Sequence, residues 1–136
     1  MKIYVIDSSI ILSVGIEKDS RTISVYDNLI REVEKKKAQL LAPELLKYEV
    51  ANGLRFSKLE KEEVYIFWEY FKNSPIVYTD VDKSFFPSVA RLADKLGTTF
   101  YDTIFHYLAM VFDGTFLTRD KDYYRKAKKL GNIKCF

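Results

Sequence analysis

The stretch Lys2-Ile-Tyr-Val-Ile-Asp7-Ser8-Ser9 decides how the rest of the chain is read. Ile3 to Ile6 is unbroken in apolar, aromatic or β-branched residues, the composition of a short strand buried on both faces. Asp7 falls where that strand ends, with the hydroxyls of Ser8 and Ser9 after it. In an open parallel sheet, ligands bind at the carboxyl ends of the strands. A lone acid there is equally suited to capping a helix, so its role depends on what else reaches the same edge.

Outward from Asp7 the sequence alternates between short apolar runs and helical periodicity. Ile10 to Val14 continues as a short apolar turn or helix closed by Gly15. Arg21 to Lys37 carries Ile23, Tyr26, Ile30 and Val33 at helical spacing, and its basic end suits the negative pole of a helix. Gln39 to Ala42 is a second strand, and Pro43 fits the first position of a helix over 44–58. Helices are expected over 60–73 and 82–96, with a third strand over 76–78 between them. Gly97 provides a left-handed cap. Tyr101 to Phe112, apolar on nearly every face, is a buried helix. A fourth strand over 115–117, a helix over 120–130 and a fifth strand over 133–136 complete the chain. This alternation implies βαβ units and an α/β fold with a mostly parallel sheet of four to five strands between helical layers.

The 136 residues suffice for one domain with a real core, and 48% apolar with 30% charged residues describes a soluble globular protein. The net charge of +3 permits a nucleic-acid partner without arguing for one. Cys135, the one cysteine, is expected to be a buried small residue; it excludes an internal disulfide and fits a reducing, cytoplasmic location. Asp7 interrupts the first apolar run before it reaches leader length, and no run approaches the roughly 20 residues of a membrane span.

Four acids carry the functional question. Asp7 follows the first strand, Asp120 follows the fourth, Asp102 opens the buried helix, and Glu49 lies inside the helix after the second strand. Capping explains three of them singly, and Thr99-Phe-Tyr-Asp102 is itself a capping box. Glu49 needs another account. It stands a turn or more into its helix, on a partly apolar face with Leu45, Asn52 and Phe56. Four carboxylates at one edge without a compensating base suit a hard divalent cation, Mg²⁺ or Mn²⁺, whose chemistry with phosphodiesters is in-line hydrolysis.

The strings Val5-Ile-Asp7-Ser8-Ser9, Tyr48-Glu49-Val-Ala-Asn52, Tyr101-Asp102-Thr-Ile-Phe-His-Tyr-Leu-Ala109 and Leu117-Thr118-Arg-Asp120-Lys-Asp122 resemble the motifs of the PIN domain, and within it the VapC-type toxins. The resemblance implies a three-layer α/β/α sandwich, strand order 3-2-1-4-5, as a single nuclease domain over residues 1–136. It implies a Mg²⁺- or Mn²⁺-dependent ribonuclease, the toxin of a toxin–antitoxin pair. Asp7, Glu49, Asp102 and Asp120 match the family's catalytic, metal-holding quartet; Ser9, Asn52, Thr118 and Asp122 match supporting positions. The implied partners are an RNA substrate, a cognate antitoxin and a second copy of the chain, with no membrane. A PIN-like scaffold without activity, or a nuclease acting in RNA processing or on DNA, is the alternative.

Other α/β classes fit less well. A receiver domain wants an acidic pair after the first strand, and a haloacid-dehalogenase-type phosphatase wants a second Asp where Ser9 stands. His106 reads as a hydrogen-bonded helix histidine, and Asp80 and Asp82 as caps. The aromatic residues over 65–71 suit either a thick core, slightly preferred, or a groove. Arg55, Lys58, Arg119, Lys121 and Arg125 are candidate phosphate contacts.

Overall fold

The computed structural model describes residues 1–136. Strand β1 (Lys2–Ile6) is the centre of a five-stranded parallel sheet. It pairs on one side with β2 (Ala38–Pro43) and on the other with β4 (Thr115–Thr118). Strand β3 (Ile76–Thr79) lies outside β2, and β5 (Ile133–Cys135) outside β4, which gives the order β3-β2-β1-β4-β5. At the carboxyl end of the central strand Val5 and Ile6 are both 0% exposed, as apolar residues between two helical layers require.

Helices α1 (Ser8–Leu12), α2 (Ser20–Glu34), α3 (Leu45–Arg55), α4 (Lys61–Lys72), α5 (Phe86–Leu96), α6 (Phe100–Val111) and α7 (Lys121–Ala127) flank the sheet. The innermost is α6, packed against β1, β2 and β4 through buried Ile104, Phe105, Leu108 and Ala109. Each of the three larger side chains contributes about 1.5–3 kcal/mol relative to an exposed one. These residues fix the first turn of α6, and so Asp102, above the end of β1.

Several boundaries differ from those the sequence suggested, each for a physical reason. Pro43 ends β2 and does not begin a helix. Pairing of β2 with β1 stops at Leu41, so beyond it the strand is bonded only to β3, and a missing amide is tolerated on the open side. Gly15 does not close the first helix; it lies in a π-helical turn, Ser13–Glu17, where a Cβ would stand 2.4 Å from the Phe67 ring. The second helix stops at Glu34, and Lys36 takes a left-handed φ of 56°, so the lysine run lies in the exit turn. The helix expected over 82–96 opens as a 3₁₀ turn, Lys83–Phe85, capped by Asp82, and becomes α-helical at Phe86 with Pro87 in its first turn. The last helix likewise gives way to a 3₁₀ turn, Lys128–Leu130. Cys135 is partly exposed on the edge strand, not buried.

The aromatic helix departs furthest from the thick-core expectation. Phe67 and Phe71 of α4 enter the core, but Tyr65, Ile66 and Tyr70 remain 60%, 72% and 45% exposed. One face of a helix covers one stripe of the core, and this helix carries more apolar surface than that stripe can take.

Candidate active site

Asp7 is placed by the end of β1 and locked by the first turn of α1. Its Oδ1 accepts from the Ser9 amide at 3.1 Å, the Ile10 amide at 3.4 Å and the Ser9 hydroxyl at 2.5 Å. Its Oδ2 accepts from the Thr118 hydroxyl at 2.5 Å. Thr118 is the last residue of β4 and is fully buried. Its oxygen also accepts from the Asp120 amide at 3.0 Å, which ties the two strand ends together.

Asp120 caps α7, its Oδ1 accepting from the Tyr123 amide at 2.9 Å. Asp102 stands in the first turn of α6, where its amide donates to the Thr99 hydroxyl at 3.1 Å. Asp7, Asp120 and Thr99 therefore do cap helices, while Asp7, Asp102 and Asp120 also face one another electrostatically. Capping and site-building are compatible here, because both use the edge where strands end and helices begin.

Glu49 reaches the same region from α3. Burial first, then the charges of Asp7 and Asp102, raise its pKa to about 7 against the opposing effect of a hydrogen bond with Ser8. Burial raises Asp7 to about 6, against the hydrogen bonds from Ser9, Thr118 and Ile10, with Asp102 adding repulsion. Asp102 is raised as well, by burial first and then by Asp120, with Thr99 opposing. No lysine or arginine is among the leading causes of these three shifts. As they stand, no three His, Cys, Asp or Glu side chains are grouped so as to hold a metal ion. Two of the acids have oxygens engaged by hydroxyls and amides.

The supporting residues divide. Ser9 and Thr118 bond Asp7 directly. Asn52 is exposed on α3, as is Phe56 at 74%, so the face of Glu49 is less apolar than its spacing suggested. Asp122 bonds Arg125 at 2.6 Å and approaches Lys126 at 3.3 Å, and its hydrogen bonds with these two side chains hold its carboxyl below the usual range.

One feature has no signal in the sequence. Arg119 is no free phosphate contact: its Nη1 donates to Ser13 Oγ at 2.7 Å and to Glu17 Oε2 at 2.8 Å, while its amide donates to Ser9 Oγ at 2.9 Å. It clamps the β4–α7 connection to the π-helical turn, which no residue spacing announces. His106 is the hydrogen-bonded helix histidine that the sequence suggested: it is fully buried, with Nε2 2.8 Å from the Gly131 carbonyl and Nδ1 3.0 Å from the Tyr123 hydroxyl. A carbonyl only accepts, so Nε2 carries the proton and Nδ1 accepts from Tyr123.

The model of the PIN domain matches residues 4–129. No curated protein matches the chain in sequence. Among solved structures, the chain is similar to VapBC2 from Rickettsia felis bound to a DNA fragment from their promoter, with a TM-score of 0.71 and 17% identity over 98% of each chain. It is also similar to PAE2754 from Pyrobaculum aerophilum, at a TM-score of 0.67 and 22% identity over 92% of this chain and 84% of that one. FitAcB from Neisseria gonorrhoeae gives a TM-score of 0.64 and 17% identity over 92% and 93%. At such identities the likeness is one of fold. The family match, by contrast, runs from β1 through α7, and with it the chain belongs to the PIN domain family.

Proposed function

We propose that residues 1–136 act as one nuclease domain, a Mg²⁺- or Mn²⁺-dependent endoribonuclease that serves as the toxin of a toxin–antitoxin pair. PIN domains are generally nucleases, and the observation that carries the proposal is the unneutralised acid set. Asp7 and Glu49 are raised to about 6 and about 7, with no basic side chain among the leading causes. An all-oxygen donor set of this charge fits a hard divalent cation. Asp7, Asp102 and Asp120 would hold it, directly or through water, and Glu49 would hold it or orient the attacking water. Such a cation offsets the charge that builds on a phosphodiester during in-line attack.

The chain's own residues prepare this step. A hydroxyl on each oxygen fixes the plane of the Asp7 carboxylate before substrate arrives. Glu49, reaching the same edge from α3, would be placed to take a proton from the attacking water. The product is expected to carry a 5′ phosphate.

The toxin role rests on the sequence resemblance to VapC-type chains and agrees with the likeness in fold to VapBC2. A groove of about 610 Å³ between α3, α4 and β3, lined by Tyr48, Trp68, Phe71 and Tyr78, suits an antitoxin segment. The exposed Tyr65 and Ile66 of α4 suit a protein interface, with a second copy or with that antitoxin. Sequencing RNA 5′ ends after induced expression tests the function. New ends confined to the wild type, beside Asp7→Asn, support it; identical end profiles count against it.

A further inference from the structure

A cavity of about 310 Å³ lies beside the acid set, lined by Asp102, Asp120 and Asp122 together with Thr99 and Lys126. Lys126 is the one basic side chain in its wall. Taking the chain as a nuclease acting on RNA, we propose that Lys126 binds a backbone phosphate of the strand next to the scissile bond.

Of the other candidate cations, Lys58 and Lys121 do not line this cavity, and three more are engaged elsewhere. Arg119 is bonded to Ser13 and Glu17, Arg125 to Asp122, and the Arg55 guanidinium sits 5.3 Å from the Phe56 ring centroid. Lys126 is held differently. Its Nζ donates to the Gly97 carbonyl at 3.0 Å and lies 3.3 Å from Asp122 Oδ2. An ammonium has three protons, so one direction is open after these two contacts. The second contact can be given up, because Asp122 keeps Arg125 at 2.6 Å.

A phosphate entering a cavity walled by three carboxylates meets repulsion on most sides. An ammonium there lowers that barrier and marks where along the cavity the charge can rest. The volume, at the lower end of the range for ligand pockets, suits a phosphate with its sugar better than a stacked duplex. Lys126 also fastens α7 to Gly97, the left-handed cap of α5. That structural role alone would affect stability and would leave the dependence of RNA binding on salt untouched.

The test is binding of a short fluorescent single-stranded RNA by anisotropy across a salt series, in the Asp7→Asn background so that the strand stays intact. Lys126→Gln keeps a donor for the Gly97 carbonyl but removes the charge; Lys126→Arg keeps the charge. Lys37→Met, in the turn before β2 at the opposite edge of the sheet, is the control. Lys126→Gln should weaken binding several-fold at low salt and reduce the slope of log affinity against log salt by about 0.7, the loss of one phosphate contact on a single strand. Lys126→Arg should restore both, and Lys37→Met should change neither. An unchanged slope in Lys126→Gln, an equal loss in Lys37→Met, or no RNA binding at all overturns the proposal. Wild-type cleavage is scored separately, since its absence overturns the nuclease reading and not the salt slope.

Discussion

The Thr118 hydroxyl donates to Asp7 Oδ2 at 2.5 Å, joining residues 111 positions apart at the ends of adjacent strands. The same oxygen accepts the Asp120 amide, so one threonine sets two of the four acids relative to each other. Thr118→Val keeps the shape and removes the bond. It should cost about 1.5–3 kcal/mol, the range for a hydrogen bond to a charged group. Urea unfolding measures that loss. The thermal shift induced by Mn²⁺ should shrink in the same variant, because Asp7 loses its fixed plane.

Arg119 positions the same edge from the other side. Arg119→Ala removes bonds to Ser13 and Glu17 and frees the β4–α7 connection. The Glu17 carboxylate is 60% exposed, so that ion pair alone is worth no more than about 1 kcal/mol. Glu17→Gln should therefore be nearly silent in stability, while Arg119→Ala loses more, through buried Ser13. In cleavage assays Arg119→Ala should lower activity more than Glu17→Gln does. Equal and negligible effects would remove Arg119 from the account.

The acid set makes a signed prediction about pH. Asp7 rises from 3.8 to about 6 on folding and Glu49 from 4.5 to about 7. The folded chain therefore holds these protons more tightly than the unfolded one, and their contribution is complete below pH ~4 and lost as pH rises to ~7. Without divalent ions, wild-type stability should fall across that window relative to an Asp7→Asn, Glu49→Gln double variant. His106 runs the other way, since burial lowers its pKa, but it is present in both chains and cancels in the difference. Adding Mn²⁺ at pH 7 should restore the wild type and leave the double variant unmoved.

His106 should prove structural. Replacing it by Phe strands the Tyr123 hydroxyl and the Gly131 carbonyl, at a cost of about 2 kcal/mol or more. Cleavage measured well below the melting temperature should persist. A complete loss of activity in a folded His106→Phe protein would give the histidine a catalytic role.

Much of the site was legible because its chemistry is local. Asp7 after an apolar run and Asp120 after Leu117-Thr118 mark strand ends by composition, and Thr99 three residues before Asp102 marks a helix start. Gly97, read as a left-handed cap, has a positive φ of 68°. The sheet order came from the family resemblance, since pairing between distant strands leaves no periodic trace. The rest depended on tertiary partners. Pro43 looked like a helix start, yet whether a proline can end a strand depends on where the neighbouring strand stops. Arg119 looked like a free cation until the π-helical turn brought Ser13 and Glu17 to it. Tyr65, Ile66 and Tyr70 read as core by hydropathy, but only the packing of α4 decides which of its faces is covered.

The claim that the four acids form a metal-dependent nuclease site is tested most directly by incubating purified wild type and Asp7→Asn with structured RNA, in Mn²⁺ and in EDTA. Wild type should cleave only with the metal and leave 5′ phosphates, while Asp7→Asn, equally folded by circular dichroism, should not cleave. Cleavage by pure Asp7→Asn at the wild-type rate, or cleavage by wild type in EDTA, would contradict the account.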